Sequence, residues 1–255
     1  MEQAHQWMPY CGAAPGPQEW LWRWNTDPVL ALALLIGAIA LWVPRLRPVG
    51  MDTRQQRALR AGWIAVVLLY VSPLCALSST FFTVRVVHHM ALVFVLAPLL
   101  VLGLGRSLRS LALPTASCTL VAAGTFWFWH GPGAYAAALS STPVYWLMQL
   151  SLLATATAFW AALRRAGPAV SLTAILASTV LMGLLGALIA FATRPLYAPH
   201  FASTIAWGVT PLEDQQLAGI VMWAPGSLGY LGAALWIGWR WMRAERDRHP
   251  LARPA

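Results

Sequence analysis

The sequence predicts an all-α fold, a polytopic membrane helix bundle with about seven transmembrane helices, its N-terminus outside the cytoplasm and its C-terminus inside. Three observations predict it. Of 255 residues, 59% are hydrophobic and only 10% charged, whereas a soluble domain carries roughly a quarter charged residues; too little polar surface is left to cover a globule in water. The apolar residues come in long blocks, of the kind a hydrocarbon core about 30 Å thick demands of a helix, and lack the alternating polarity of a membrane barrel. Finally, the 17 residues counted as Lys+Arg are all arginine, and they gather in the short connections between alternate blocks.

The elements follow in order. Residues 1–27 form an extracytoplasmic segment without the basic start of a cleaved signal peptide. Helix 1 runs from Pro28 to Val43, with proline at the favoured first position, and Arg45, Arg47, Arg54, Arg57 and Arg60 follow it. Helix 2 covers Ala61–Leu77, and Ser78, Ser79 and Thr80 make a polar break able to cap helix 3, Phe81–Leu104. Arg106 and Arg109 come next, then helix 4, Ala112–Trp129, stopped at His130-Gly131-Pro132. Helix 5, Val144–Leu163, leads to Arg164-Arg165, and helix 6 spans Val170–Ala192. A longer loop to Asp214 precedes helix 7, Gln215–Trp239, which Pro225-Gly226 should kink. The transmembrane domain thus covers 28–241, and 242–255 forms a basic cytoplasmic tail. Fourteen arginines fall after helices 1, 3 and 5 and in the tail, leaving Arg23, Arg85 and Arg194 elsewhere. Seven crossings put all the arginine-rich segments on one face, and one helix more or fewer would destroy that segregation.

Composition also excludes function classes. Arginines placed mostly in the connections on one side serve topology rather than nucleic acid, and no nucleic-acid partner is expected. Without lysine there is no Schiff base for retinal. Neither a phosphate-binding loop nor a nucleophilic triad is visible, and no catalytic residue is assigned; the chain is not expected to be an enzyme.

Ionisable groups inside a membrane helix are costly and therefore functional candidates. Helix 3 carries Arg85, His88 and His89 near its outer end, and helix 4 ends at His130. Neutral imidazoles suit copper, zinc or iron, and Met90, Met182 and Met222 offer soft thioethers for Cu(I). Arg85 and His89, four apart, share a helix face, whereas His88 points about 100° away. The same groups also have ordinary uses: cross-helix hydrogen bonds for the histidines, apolar filling for the methionines. Cys11 and Cys75 both lie on the outer side, where they can form a Cu(I)-binding or a disulfide pair; Cys118 reads as packing. The 15 tryptophans cluster near helix ends as interfacial anchors, and Gly183, Gly186 and Gly219 permit close helix contact.

Several segments together resemble the polytopic CtaG family of cytochrome c oxidase assembly factors. They are Asn25-Thr26-Asp27-Pro28, the run ending at His89-Met90 with Ala97-Pro98 beyond it, Trp127 through Tyr135, Met182 through Ala187 with Arg194-Pro195-Leu196-Tyr197, and Asp214 through Gly226. The resemblance implies a non-catalytic factor that matures a haem-copper oxidase in a bacterial inner membrane, through copper delivery at the outer face. It implies an oxidase subunit, the lipid bilayer and a copper donor protein as partners. His89, His130, Asp214, Gln215 and Met222 match the family pattern, while Arg85, Tyr145, Met148 and Gln149 replace its usual polar residues. The expected copper ligands are His89 and His130, with Met222 as a soft ligand that lets Cu(I) leave and His88 compensating for a lost one. Asp214 is expected to attract cations or cap helix 7. The departures leave a second expectation open, a scaffold that docks on the oxidase without metal; a copper or small-solute transporter is one rival, and a haem-binding redox protein with His88 or His89 facing His130 across one haem is the other.

Overall fold

The computed structural model describes residues 7, 9–46, 50–105, 107–110 and 113–248. Arg47, Arg106, Ala112, His249 and Arg253 lie outside the described residues. All the regular structure among the described residues is helical.

Helix α1, Pro28–Trp42, opens on Asp27, whose carboxylate accepts from the N–H groups of Val29 at 2.8 Å and Leu30 at 3.4 Å. Helix α2, Thr53–Tyr70, begins with a reciprocal cap between Asp52 and Gln55. Helix 2 was expected as one run, but the chain breaks at Ser72 and resumes as α3, Pro73–Thr80, bent by 48° from α2. Pro73 has no N–H to continue the ladder, and Ser72 caps the new helix at Leu74. Ser78, Ser79 and Thr80 therefore close α3 instead of capping the next helix.

Helix α4, Phe82–Ala91, passes through a π turn at Leu92–Leu96 into α5, Ala97–Gly103, so that Phe82–Gly103 forms one 22-residue rod. Pro98 lacks the N–H that an α-helix would give to Phe94, and the wider turn absorbs the loss. The Val93 carbonyl within that turn accepts from the Trp160 indole at 2.7 Å. Helix α6, Thr115–His130, stops at Gly131, but Pro132 then opens an unforeseen short helix, α7, Pro132–Ser140. Helices α8, Thr142–Arg165, α9, Pro168–Ala190, and α10, Pro211–Arg248, complete the bundle. Helix α10 starts before Gln215, carries Pro225 within it, and runs on past Trp239.

Among the described residues, four helical rods, Phe82–Gly103, α8, α9 and α10, are long and apolar enough to cross a membrane, and the bent α2–α3 pair is a fifth when counted as one span. Helix α1, with 15 residues, and α6, with 16, are shorter. The polarity is reversed relative to a soluble protein. Leu176, Val180, Leu184 and Leu188 of α9 face outwards, while Arg85, His89, His130 and Gln149 are buried. Helices α9 and α10 meet backbone to backbone where Gly186 faces Gly219, as their glycines suggested. The tryptophans do more than anchor: Trp63, Trp127 and Trp160 each donate to a backbone carbonyl of a neighbouring helix.

One end of the bundle is roofed. Asn25 donates to the Tyr70 carbonyl, Tyr10 donates to Asp27 and stacks on Tyr145, and Pro15 accepts from Thr80 and Trp207. A Cys11–Cys75 disulfide ties this N-terminal segment to α3. Of the two uses open to these cysteines, the structure holds the disulfide.

Candidate functional site

The site lies beneath that roof, and α10 positions it. Phe81 gives α4 no side-chain cap. Asp214 supplies one from another helix: its carboxylate accepts from the N–H groups of Phe82 at 2.6 Å and Thr83 at 3.2 Å, and its carbonyl accepts from the Thr83 hydroxyl. The charge sits at the positive end of the α4 dipole. Asp214 was expected to cap its own helix or attract cations; it caps α4, and so sets the depth of every residue that follows. Gln215 beside it accepts from Leu196 N–H at 2.6 Å and donates to the Ile189 and Arg194 carbonyls, pinning the turn after α9. Tyr197, held by that turn, donates to the His130 carbonyl at 2.8 Å.

Two of the expected ligands meet here. His89 Nδ1 lies 3.3 Å from His130 Nε2, with the rings nearly perpendicular. The proton positions follow from the neighbours. His130 Nδ1 is 2.7 Å from the Phe126 carbonyl, which can only accept, so Nδ1 bears the hydrogen and Nε2 the lone pair. His89 Nδ1 therefore donates to His130. His89 Nε2 accepts from Gln149 Nε2 at 3.4 Å, and Gln149 Oε1 accepts from the Tyr70 hydroxyl at 3.0 Å. A directed chain thus runs from Tyr70 on α2 through Gln149 on α8 and His89 on α4 to His130 on α6.

The same spacing suits a metal. Two nitrogens each about 2.0 Å from one tetrahedral ion lie roughly 3.3 Å apart. The pair fits a cation once His89 carries its proton on Nε2, the nitrogen facing the Gln149 amide. The direct contact leaves no room for a haem plane between the rings.

His88 does not join the pair. Its ring stands edge-on to Tyr70 at 4.8 Å and 6.3 Å from the ring of His89, with both nitrogens buried and without hydrogen-bond partners. Met222 is fully buried on α10 within the same core. Met90 and Met182 converge on Gly226. Among the described residues, no three His, Cys, Asp or Glu side chains group as a metal cage.

Arg85, one turn before His89, is fully buried. Its Nη1 donates to the Tyr145 hydroxyl at 3.3 Å and its guanidinium lies over the Tyr145 ring at 5.2 Å, while Nε and Nη2 make no hydrogen bond of good geometry, the Tyr135 hydroxyl being the other polar group beside the guanidinium. Among the described residues, no carboxylate stands within ion-pair distance of it.

Sequence reasoning missed His200. This imidazole, in the loop between α9 and α10, faces the Thr80 carbonyl with Nδ1 at 3.0 Å and the Tyr135 hydroxyl with Nε2 at 2.7 Å. Burial pushes its pKa down to about 3, so it is neutral. Tyr70 was missed as well, because an aromatic among aromatics gives no periodic signal, and Tyr135 and Tyr197 stood in the family-like segments without a role. Tyr145 and Gln149 were marked only by their departure from the family pattern.

No curated protein and no solved structure matches the chain. A family model does: that of the cytochrome c oxidase caa3 assembly factor (Caa3_CtaG), over residues 106–244. The match covers α6, α7, α8, α9 and all but the last turn of α10, and so includes His130, Gln149 and Asp214. With more than half of its length matched and several helices long enough to span a bilayer, this chain is a multi-pass membrane protein of the CtaG family of cytochrome c oxidase assembly factors.

Proposed function

We propose that the chain assists copper delivery to a haem-copper oxidase, taking Cu(I) as cargo between His89 and His130 at the outer face of a bacterial inner membrane. The observation that carries this reading is the pair of buried imidazole nitrogens 3.3 Å apart, contributed by two helices. His89 and His130 act as the first ligands, and Met222 supplies the soft, weakly held ligand that makes release easy. With Nδ1 on copper, His89 Nε2 bears the proton, and Gln149, its amide turned so that Oε1 accepts, orients the ring with Tyr70 behind it, as partners of metal-bound histidines do. An oxidase subunit receives the ion, and a copper donor protein supplies it.

The reading includes seven crossings with the roofed end outside. A disulfide in that roof suits an oxidising compartment, and Arg60, Arg164 and Arg165 lie at the opposite end. The 15 and 16 residues of α1 and α6 are short for a full crossing, and the roof built by residues 9–27 and α7 extends the bundle where they stop.

Two measurements test the proposal. In membranes of a strain lacking the protein, oxidase activity per unit haem is expected to fall and to recover with added copper; unchanged activity overturns the assembly role for that oxidase. Purified protein is expected to lose Cu(I) affinity in competition with a chromophoric chelator when His89 and His130 become alanine. Equal affinity removes the site.

One observation favours a second reading. The fixed charge of Arg85 one turn from His89 repels a cation, as a metal-free docking scaffold would tolerate. Under that reading the deletion strain loses activity and excess copper does not restore it.

A further inference from the structure

We propose that Cys11 and Cys75, once reduced, form a two-thiolate Cu(I) site at the mouth of the histidine pair, with Arg85 as its charge partner. The inference rests on the copper-handling reading and names the entry ligands of the same path.

Three observations carry it. The cysteine α-carbons are 5.3 Å apart, and the segment carrying Cys11 is also held by the Tyr10–Asp27 hydrogen bond, the Tyr10–Tyr145 stack and the Pro15 carbonyl's bonds to Thr80 and Trp207, so more than the disulfide keeps the pair together. Cys11 Sγ lies 3.8 Å from the Tyr145 hydroxyl. That hydroxyl in turn accepts from Arg85 Nη1 at 3.3 Å, so a single phenol links the sulfur to the guanidinium. The third is the guanidinium itself, buried with two nitrogens that make no hydrogen bond of good geometry. A buried cation without a counter-charge is costly. Cu(I) on two neutral imidazoles is a cation that Arg85 repels; Cu(I) on two thiolates carries a net negative charge that Arg85 attracts. The residue that weakens the histidine site therefore suits the cysteine site. Soft thiolates also suit Cu(I) by chemistry.

The redox step balances with a dithiol protein as reductant. Its two thiols give two electrons and two protons to the Cys11–Cys75 bond, which breaks as a disulfide forms in the donor. Cu(I) then displaces the two thiol protons to water and stays Cu(I) throughout. Transfer inward to His89 and His130 leaves two thiolates, which take two protons from water and stand as thiols ready for another Cu(I).

The test uses the full chain purified in detergent under anaerobic conditions, either as the disulfide or after reduction, and titrated with Cu(I). X-ray absorption of the reduced protein is expected to show two thiolate sulfurs on copper that the disulfide form lacks, and the titration to show binding about tenfold tighter than in the disulfide form. Arg85→Met is expected to weaken binding in the reduced form and strengthen it in the disulfide form. A reduced protein that binds no tighter, or a Cys11→Ser, Cys75→Ser variant that binds Cu(I) as tightly as the reduced parent, overturns the proposal. Should that variant not fold, Cu(I) must protect both wild-type cysteines from alkylation; full alkylation with copper present overturns the proposal equally. Failure of the histidine reading looks different: the disulfide form then binds equally well with or without His89 and His130, whatever the reduced form does.

Discussion

Asp214 and Phe82, 132 positions apart, are joined by a 2.6 Å hydrogen bond from the Phe82 N–H to the Asp214 carboxylate. Through it the start of α10 fixes the start of α4, and with it the height at which His89 meets His130. Losing a helix cap costs about 0.5–2 kcal/mol, and a buried charged acceptor stands at the upper end. Asp214→Ala is expected to lower thermal stability in detergent by several degrees and Asp214→Asn by less. Equal loss from both would mean that the charge, not the cap, is what matters.

The α9–α10 contact sets a second expectation. A Cβ on Gly219 would stand 2.5 Å from the Ala190 nitrogen and 2.6 Å from the Gly186 carbonyl oxygen, both backbone atoms unable to step aside. Gly219→Ala should therefore destabilise by about 1–3 kcal/mol. Gly238, with nothing within 4 Å, is the control, and its alanine variant should melt like the parent or slightly higher. Matching melting temperatures for the two variants would contradict the close packing.

Arg85 gives an opposite sign. A buried cation without a carboxylate costs stability, and an apolar side chain of similar length removes the cost. Arg85→Met is expected to raise the melting temperature by a few degrees, corresponding to about 1 kcal/mol or more. A lower melting temperature would show that the Tyr145 contact outweighs the desolvation.

His200 predicts a pH dependence. Its pKa, about 3 in the fold, lies below the roughly 6.5 of an unfolded histidine. The unfolded chain therefore binds the proton first, so the contribution of neutral His200 is complete above about pH 6.5 and is lost progressively as pH falls towards 3. Thermal melts of the parent between pH 7.5 and pH 4 should fall more steeply than those of His200→Asn, even though the variant starts lower. Parallel slopes would exclude His200 as the source.

The legible and the hidden parts of this molecule divide along a physical line. Apolar blocks long enough for a bilayer declare themselves, and α8 and α9 lie within two residues of where hydropathy placed them. Proline, whose missing N–H is a local fact, declares the start of α1 but not what Pro73 and Pro132 do with the chain beyond them. At the site, the inventory was readable: Arg85, His89 and His130 are conspicuous because charge and imidazole are rare in such a sequence. His88 and His89 diverge as a 100° step along a helix requires.

The sequence by itself determined a helical membrane protein, its rare polar side chains and the motifs of its family, because composition and hydrophobic block length are properties of the chain alone. Only the tertiary structure decided that Asp214 caps α4, that Gln149 and Tyr70 stand behind His89, and that Cys11 closes on Cys75 beside Tyr145. Each of these joins residues more than fifty positions apart, and no local periodicity encodes which distant carboxylate, amide or sulfur a buried polar group will meet.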